Sequence, residues 1–545
     1  MLPFVGPALA VVLAYLFYTG LYCSDDTRYL IGIQKIVGGE WIDLHSNAER
    51  RLVFLLPGAL FLWASGGTSI DAAIVSYSLF YVALPFLAWA VVRRHGESRA
   101  LLASIAVALC PLLYVNSGAL LPDIFSSCLV AMQLVLLAKW LRANREGRQP
   151  RAWIAVALGA LMVFGAAVKE SNAVIALIPA GFIGIDLLRR KFARTAWREC
   201  FLLVAGALAF LAAEAIAHKI FAGQWHVALL NTAESHNFQS YLDAQGHTPV
   251  ERFTFLYDSL DPWTTTLFGI ALAVAIVLTV ATLLRRTRIE AMEWIVPALF
   301  FVWPLVYFTI GTASFHEYVP PVMQARYYAP CMFPAVVLIF IALGKREGWR
   351  DRVALVAGIA VVAMLAVGVT RQFGERGVAY SSRAQNAIRL VITDMTSKAP
   401  GLPIYDVSEL GHVDLKRCRL LLLAEAGYRD ADASKLDVAH LPPGPFLLYG
   451  TDAKTLWTSK APLNQEVVRR VARGEWRLDF VGYYFADSDA DDGTWWLPRQ
   501  RAIVRKFELD EAAYKEARVP AGYIPWMKRE MHSEIFLVTP TGEAQ

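Results

Sequence analysis

The chain has 545 residues, of which 56% are hydrophobic and 18% charged, and its mean hydropathy is +0.41. A soluble enzyme of this size is less apolar, so the composition excludes an ordinary soluble fold and requires lipid to cover part of the surface. The net charge of +5 comes without any basic run interleaved with aromatic residues, which argues against nucleic-acid binding.

Apolar runs of about 17 to 24 residues, long enough to cross a membrane as helices, fill most of the chain up to residue 370. They lie at 3–22, 69–92, 100–116, 119–139, 153–168, 172–188, 200–221, 265–284, 294–311, 327–343 and 353–370. The first run lacks a basic segment before it and a small-residue cleavage site, so we predict a retained helix rather than a removed signal. The sequence therefore predicts an α-helical polytopic membrane protein with about eleven transmembrane helices.

Basic residues are concentrated in alternate loops between these runs. Those loops include RANREGRQPR, RRKFARTAWR, RRTR and KREGWRDR and hold about twenty Lys or Arg, against about seven in the other short loops. Basic loops remain in the cytoplasm. We therefore predict a multi-pass protein of the inner (plasma) membrane, with a cytoplasmic N-terminus and with its C-terminal part in the periplasm or outside the cell.

Three predicted outer loops are long enough to fold over the membrane face, at 23–68, 222–264 and 312–326. The first contains the apolar stretch 52–64, which is too short to span, and counting it as a crossing would invert every later loop. We expect this stretch to lie in the outer interface or dip into it.

The first outer loop opens with the acidic motif SDDTRY at 24–29. Asp25 and Asp26 are adjacent carboxylates at a membrane boundary, where an unpaired charge is costly to desolvate. They are therefore expected to be paired, bound to a metal or catalytic. A helix cap is an alternative of equal weight, because Ser and Asp are good N-cap residues.

A second acid and several isolated cations occur at the same level of the membrane. They are Asp123 at the start of the fourth run, Lys169 with Glu170, Arg326 before Tyr327 and Tyr328, and His45, Arg50 and Arg51. Each cation is a candidate clamp for a phosphate or carboxylate. The alternatives are a cap for Asp123, mutual neutralisation of Lys169 and Glu170, and snorkelling of Arg326 to the interface.

After residue 370 the sequence is that of a soluble domain. Short strand-like runs such as PFLLYG and RAIVRKFEL are separated by helical stretches such as LNQEVVRRVARG, with Gly and Pro between them. We predict a transmembrane catalytic domain at 1–370 and an extracytoplasmic α/β domain at 371–545. Six cysteines are scattered without a CxxC pair, and we expect them to be small core residues.

The order of these motifs resembles the GT-C superfamily of polyprenyl-phosphate-dependent glycosyltransferases, which includes the protein O-mannosyltransferase and aminoarabinose lipid A transferase groups. The motifs are DDTRY after the first run, Arg51 and Pro57 in the first loop, LLPD at the fourth run, VKES after the fifth and QARYYAPCMFP at the tenth. The resemblance covers residues 25 to 345, and the C-terminal domain matches only as an outer appendage.

The resemblance implies a role for each motif. Asp25 matches the expected catalytic base, and its segment also contains Asp26, Arg28 and Tyr29. Asp123 matches an acid that holds the acceptor, the base or a divalent ion. The residues expected near the lipid-linked phosphate are Arg326, Tyr327 and Lys169. His45, Arg51 and Glu170 are expected to support them. Close relatives often carry Glu in place of Asp26, which leaves open which carboxylate is the base and whether Asp25, Asp26 and Asp123 hold Mg²⁺ or Mn²⁺.

The implied reaction is an inverting sugar transfer at the outer membrane face. The donor is a sugar on a polyprenyl phosphate, and the acceptor is a hydroxyl of lipid A or lipopolysaccharide, another envelope glycan, a lipid or a protein. A carboxylate must take the hydroxyl proton and a cation must stabilise the leaving phosphate. The alternative from another class is a transporter or lipid flippase, although Glu214 and Lys219 are nearly the only charges inside a run.

Overall fold

The structure is a computed structural model, and it describes every residue except 1, 19, 22–24, 68, 147, 149, 190–193, 229–244, 247, 285–290, 313–320, 322, 345–346, 376–381, 408–412, 429, 433–440, 442–443, 451–461, 488–502, 508–532 and 542–545. Parts of the predicted outer loops 222–264 and 312–326, and the basic stretch RRTR, lie outside the described residues.

The chain divides into two compact units. The first unit comprises Met1–Phe17, Tyr29–Gly67 and Asp71–Glu375, and the second comprises Tyr18–Arg28, Thr68–Ile70 and Arg376–Gln545.

The described residues up to 375 form helices α1 to α15 and three short 3-10 segments. The helices are, in chain order, Val5–Leu16, Asp25–Gly38, Leu52–Ala64, Ile70–Val92, Glu97–Ala108, Pro111–Ser117, Pro122–Arg145, Ala152–Val168, Asn172–Arg189, Arg194–Ala222, Pro249–Ser259, Pro262–Leu283, Ala291–Ile310, Ala329–Ala342 and Trp349–Glu375. The 3-10 segments are Leu2–Phe4, Arg93–His95 and Ala325–Tyr328.

Eight helices in the part of the chain that the structure describes are long and apolar enough to cross a membrane. A ninth crossing would be the pair α5 and α6, which is bent by 54° where Pro111 begins the second helix. The other two predicted runs are shorter apolar helices, Leu2–Leu16 and Ala152–Val168, and the stretch 52–64 is also a short helix. The helical polytopic fold is therefore confirmed, with eight or nine helices of spanning length among the described residues where the sequence predicted eleven crossings.

Helices α8 and α10 approach each other so closely that only glycine fits between them. A Cβ atom at Gly159 would lie 1.9 Å from the carbonyl oxygen of Leu203, and one at Gly206 would lie 2.0 Å from that of Val156. Small residues allow membrane helices to bring their backbones together in this way. Helix α8 ends at Val168, directly before Lys169, so this contact fixes the helix that leads into the candidate site.

The second unit contains a five-stranded mixed sheet with helices α16 to α18. The strands β1 to β5 are Ile404–Asp406, Phe446–Gly450, Trp476–Asp487, Ile503–Phe507 and Ser533–Pro540, and the helices are Ser382–Lys398, Val413–Glu425 and Pro462–Ala472. The strand order is β1-β2-β5-β3-β4, with β1 and β2 parallel and the other pairs antiparallel. Both strand-like runs that the sequence singled out contain strands in their described residues, and LNQEVVRRVARG lies largely in α18.

Cys418 is buried in the core, as expected, and it is also disulfide-bonded, which the sequence did not predict; Cys23 lies outside the described residues. A disulfide is made by the fold rather than by local spacing such as CxxC, so no pattern in the sequence indicated it. Cys110, Cys128 and Cys331 are buried and free, as expected, and Cys200 is free and half-buried.

Candidate active site

Eight polar or charged side chains from five segments of the first unit meet in one cluster, called here the charged cluster. Its members are Tyr29, Arg50, Arg51, Asp123, Lys169, Glu170, Arg326 and Tyr327. They comprise four cations and two carboxylates together with two phenols. The cluster unites most of the motifs that the sequence singled out.

Asp123 is the acid at the centre of the charged cluster. Pro122 occupies the first position of α7, where its missing N–H is not needed, and Asp123 follows in the first turn. The Asp123 carboxylate is 1% exposed; its Oδ1 lies 2.5 Å from Lys169 Nζ, and its Oδ2 lies 4.0 Å from Arg326 Nε. One buried acid thus faces two cations from different loops.

Lys169 and Glu170 lie in the turn between α8 and α9, which is anchored by Asn172. The Asn172 amide accepts a hydrogen bond from Ser126 Oγ at 2.9 Å and donates one to the carbonyl of Gly165 at 2.9 Å. These buried contacts attach the turn to both α7 and α8. The turn therefore presents Lys169 to Asp123 from a fixed backbone.

Glu170 pairs with Arg51 and not with Lys169, so the alternative of mutual neutralisation is wrong. Arg51 holds the Glu170 carboxylate at two points, Nε to Oε1 at 3.2 Å and Nη2 to Oε2 at 2.6 Å, and its Nη1 donates to the Tyr29 hydroxyl. Arg50 Nη2 lies 3.6 Å from the same carboxylate. Such a two-point contact fixes the plane of the guanidinium as well as its charge.

The electrostatics of this pairing follow from burial and from the neighbouring charges. Burial works to raise the pKa of Glu170, but Arg51 outweighs it, so the pKa lies below its ordinary value. Burial also lowers the pKa of Lys169; Asp123 opposes this effect, whereas Arg326 and Arg51 add to it. Lys169 is thus a cation whose charge depends on an anion beside it.

Tyr327 covers the cationic side of the charged cluster. Lys169 Nζ lies 3.8 Å from the centre of its ring, and Arg326 Cζ lies 5.7 Å from it. An aromatic face attracts cations and shields them from solvent. The ring therefore keeps Lys169 and Arg326 side by side despite their like charges.

The predicted catalytic acids Asp25 and Asp26 begin helix α2 and belong to the second unit. Asp25 is exposed and Asp26 is fully buried, with its Oδ1 accepting a hydrogen bond from the N–H of Thr27 at 3.0 Å. Arg28 is exposed. The role of Asp25 as a base stays a prediction.

His45 is exposed, and its backbone N–H donates a hydrogen bond to Asp43 Oδ1 at 2.9 Å. This bond shapes the loop, and His45 is not a member of the charged cluster. The sequence analysis did not single out His218, whose ring nitrogens lie 3.0 Å from the carbonyl oxygens of Arg50 and of Glu214. The only feature of the sequence that could have indicated His218 is its position as a polar residue inside the apolar run 200–221.

Asp123, one of the residues expected to hold Mg²⁺ or Mn²⁺, is engaged by cations. A hard cation needs several oxygen ligands, and the Asp123 carboxylate is already engaged by Lys169 and faced by Arg326. Among the described residues, no three His, Cys, Asp or Glu side chains are grouped so that they could bind one ion.

No protein-family model and no curated protein matches the chain. Solved structures do match. ArnT from Cupriavidus metallidurans bound to undecaprenyl phosphate is 15% identical with a TM-score of 0.47, over 83% of this chain and 93% of that one. The archaeal oligosaccharyltransferase AglB from Archaeoglobus fulgidus, in complex with an inhibitory peptide and a dolichol-phosphate, is 10% identical with a TM-score of 0.48, over 97% and 76%.

A second structure of the Archaeoglobus fulgidus oligosaccharyltransferase, a complex with Zn and sulfate, is 12% identical with a TM-score of 0.49, over 90% of this chain and 72% of that one.

Proposed function

We propose that the protein is an inverting glycosyltransferase that moves a sugar from a polyprenyl phosphate to a hydroxyl of an envelope acceptor. The observation that carries the proposal is the charged cluster, in which four cations converge on two carboxylates beside apolar helices. Such an arrangement suits a phosphate that is held at membrane level by its lipid tail.

The charged cluster supplies the leaving-group side of this reaction. As the bond between the anomeric carbon and the phosphate oxygen breaks, the phosphate gains negative charge, and cations already in place stabilise it without rearrangement. Arg326 offers a planar fork for two oxygens, whereas Lys169 offers a point charge. Arg51 and Glu170 hold the surrounding loops in position.

Asp25 supplies the base in this proposal. The acceptor oxygen forms a bond to the anomeric carbon and releases its proton to the Asp25 carboxylate, while the phosphate departs with the electron pair of the broken bond. An exposed carboxylate at the start of a helix is accessible to an incoming hydroxyl, whereas the buried Asp26 is not. Asp26 is therefore assigned a supporting role.

The proposed envelope acceptor requires the site to lie at the outer face of the membrane. The disulfide at Cys418 supports an outer location for the C-terminal domain, because disulfides persist in oxidising compartments. Fusing a reporter that is active only in the cytoplasm to Gln545 should give no signal. The same reporter fused after Arg148, in a predicted cytoplasmic loop, should be active. A strong signal at Gln545 would reverse the predicted topology.

The function is tested by giving purified protein a labelled undecaprenyl-phospho-sugar and an envelope lipid extract, without any ion gradient. We expect labelled acceptor and free undecaprenyl phosphate. Arg326→Ala should weaken donor binding by about 10- to 100-fold, the size of a lost hydrogen bond to a charged group, and Arg326→Lys should fall between it and the native protein. Arg350→Ala, which removes an exposed cation elsewhere, is the control. Movement of the intact donor across a membrane, with no cleavage, would favour a flippase instead.

A further inference from the structure

Arg252 is a cation buried outside the charged cluster, in helix α11. It is 1% exposed, its Nε donates to the carbonyl oxygen of Thr309 at 2.5 Å, and its Nη2 donates to that of Pro321 at 2.6 Å. A buried charge is costly unless hydrogen bonds satisfy it. Arg252 thus joins the end of α13 to a backbone position five residues before Arg326.

Gln245 holds the same backbone segment closer to the site. Its Oε1 accepts a hydrogen bond from the N–H of Met323 at 2.8 Å, and its Nε2 donates to the carbonyl of Met323 at 2.9 Å. The amide oxygen and nitrogen of Gln245 therefore bind the backbone N–H and carbonyl of Met323, and Gln245 and Met323 are both buried. This two-point contact fixes the backbone three residues before Arg326.

The far side of the turn is held through Thr309. The Thr309 hydroxyl lies 3.3 Å from the hydroxyl of Tyr328, and the Thr309 carbonyl is the acceptor for Arg252. The 3-10 segment Ala325–Tyr328 is therefore fixed on both sides, by Arg252 and Gln245 before it and by Thr309 after it. Arg326 and Tyr327 lie between these anchors.

We propose that Arg252 and Gln245 are positioning residues, which set the orientation of Arg326 and Tyr327 toward the donor phosphate. The inference rests on the proposed function, because it assigns these residues to the binding of that donor. A displacement of the turn would separate Tyr327 from Lys169 and Arg326 from Asp123, the contacts at 3.8 Å and 4.0 Å that build the charged cluster. Arg252→Lys replaces the planar guanidinium fork with a single ammonium group, which cannot reach both carbonyl oxygens in the same way.

The test is a double-mutant cycle on the binding of undecaprenyl phosphate to the purified full-length protein. Arg252→Lys and Gln245→Met should each weaken binding by about 5- to 20-fold in the native background, and by less than about 2-fold once Arg326→Ala is present. Gln245→Met keeps the length of the side chain and provides the result if Arg252→Lys does not fold. Equal effects in both backgrounds would show a merely structural role and overturn the inference.

A matched control is Arg99→Lys. Arg99 is also buried and also donates to a backbone carbonyl oxygen, that of Leu343 at 3.3 Å, but it pairs with Asp351 and not with the charged cluster. Its substitution should lower thermal stability without changing donor binding. A loss of donor binding as large as that of Arg252→Lys would mean that any buried arginine has this effect, and would overturn the inference.

Amide hydrogen exchange separates the two proposals. Arg252→Lys should raise exchange at Met323 and Tyr327, and unchanged exchange there would overturn the positioning role whatever the binding results. If Arg252→Lys raises exchange at these amides but Arg326→Ala binds donor normally, Arg252 still fixes the turn. That result would count against the proposed function alone.

Discussion

Asp25→Asn should lower the rate of sugar transfer by about two orders of magnitude or more, as expected for the loss of a general base. Asn has nearly the same shape as Asp but cannot accept the proton of the attacking hydroxyl. Because Asp25 is exposed and Asn keeps its shape, the protein should still fold and bind donor. The measurement is single-turnover transfer from a labelled undecaprenyl-phospho-sugar, with donor binding determined in parallel.

Asp26→Asn, measured beside it, separates the three interpretations of the acidic pair. If Asp25 is the base, Asp26→Asn costs less turnover than Asp25→Asn. If the pair binds a divalent cation, both variants are comparably impaired and added Mn²⁺ or Mg²⁺ partly rescues the weaker binder. If the pair is only a helix terminus, both variants stay active, because Asn caps as well as Asp. Near-native turnover of Asp25→Asn would remove it from the chemistry.

Lys169→Met should destabilise the protein by about 3 kcal/mol, because it leaves the buried Asp123 carboxylate without its closest cation. Arg326 lies 4.0 Å from the same carboxylate, so we expect the lower end of the range measured when one partner of a buried ion pair is removed. Donor binding should be lost as well. Thermal unfolding in detergent and binding of undecaprenyl phosphate measure the two effects.

The double variant Asp123→Asn/Lys169→Met distinguishes the structural part of this effect from the functional part. Removing both charges eliminates the unpaired carboxylate, so stability should recover in part while donor binding does not. Lys139→Met removes an exposed lysine from helix α7 and should change neither quantity. If Lys169→Met unfolds at the native temperature, Asp123 is not held by Lys169 as the structure describes.

The helices could be predicted well from the sequence because hydropathy is read residue by residue. Each of the eleven apolar runs contains a helix among its described residues, including the run interrupted at Pro111, and the short stretch 52–64 is a helix of its own. The end of α1 could not be predicted, since an apolar run shows where lipid or protein can cover a helix and not where its backbone ends; α1 stops at Leu16 although the run continues to residue 22.

The members of the charged cluster could be predicted, but their partners could not. Asp123, Lys169 and Arg326 stood out because charges are rare at membrane level. Glu170 stands next to Lys169 in the sequence, yet it pairs with Arg51, which is 119 residues away. Partner choice depends on how α3, α7 and α9 pack, and local spacing carries no information about that.

Arg252 and Gln245 show a second limit of the same kind. Both lie in a polar stretch that reads as a solvent-facing loop and helix, but the structure buries both side chains against backbone carbonyl groups. A residue that binds backbone has no complementary side chain to reveal it. Such positions become visible only when the loops are placed in space.

The close contact of α8 and α10 limits how this membrane domain can change. At Gly159 and Gly206 the obstacle to a methyl group is main-chain oxygen, which has no rotamer through which to move aside. A hydropathy scale ranks alanine above glycine in lipid, so a redesign guided by transfer energies would choose alanine at both positions. Clearance between the backbones overrides lipid solubility there, and even the mildest enlargement would separate the two helices around the middle of α8.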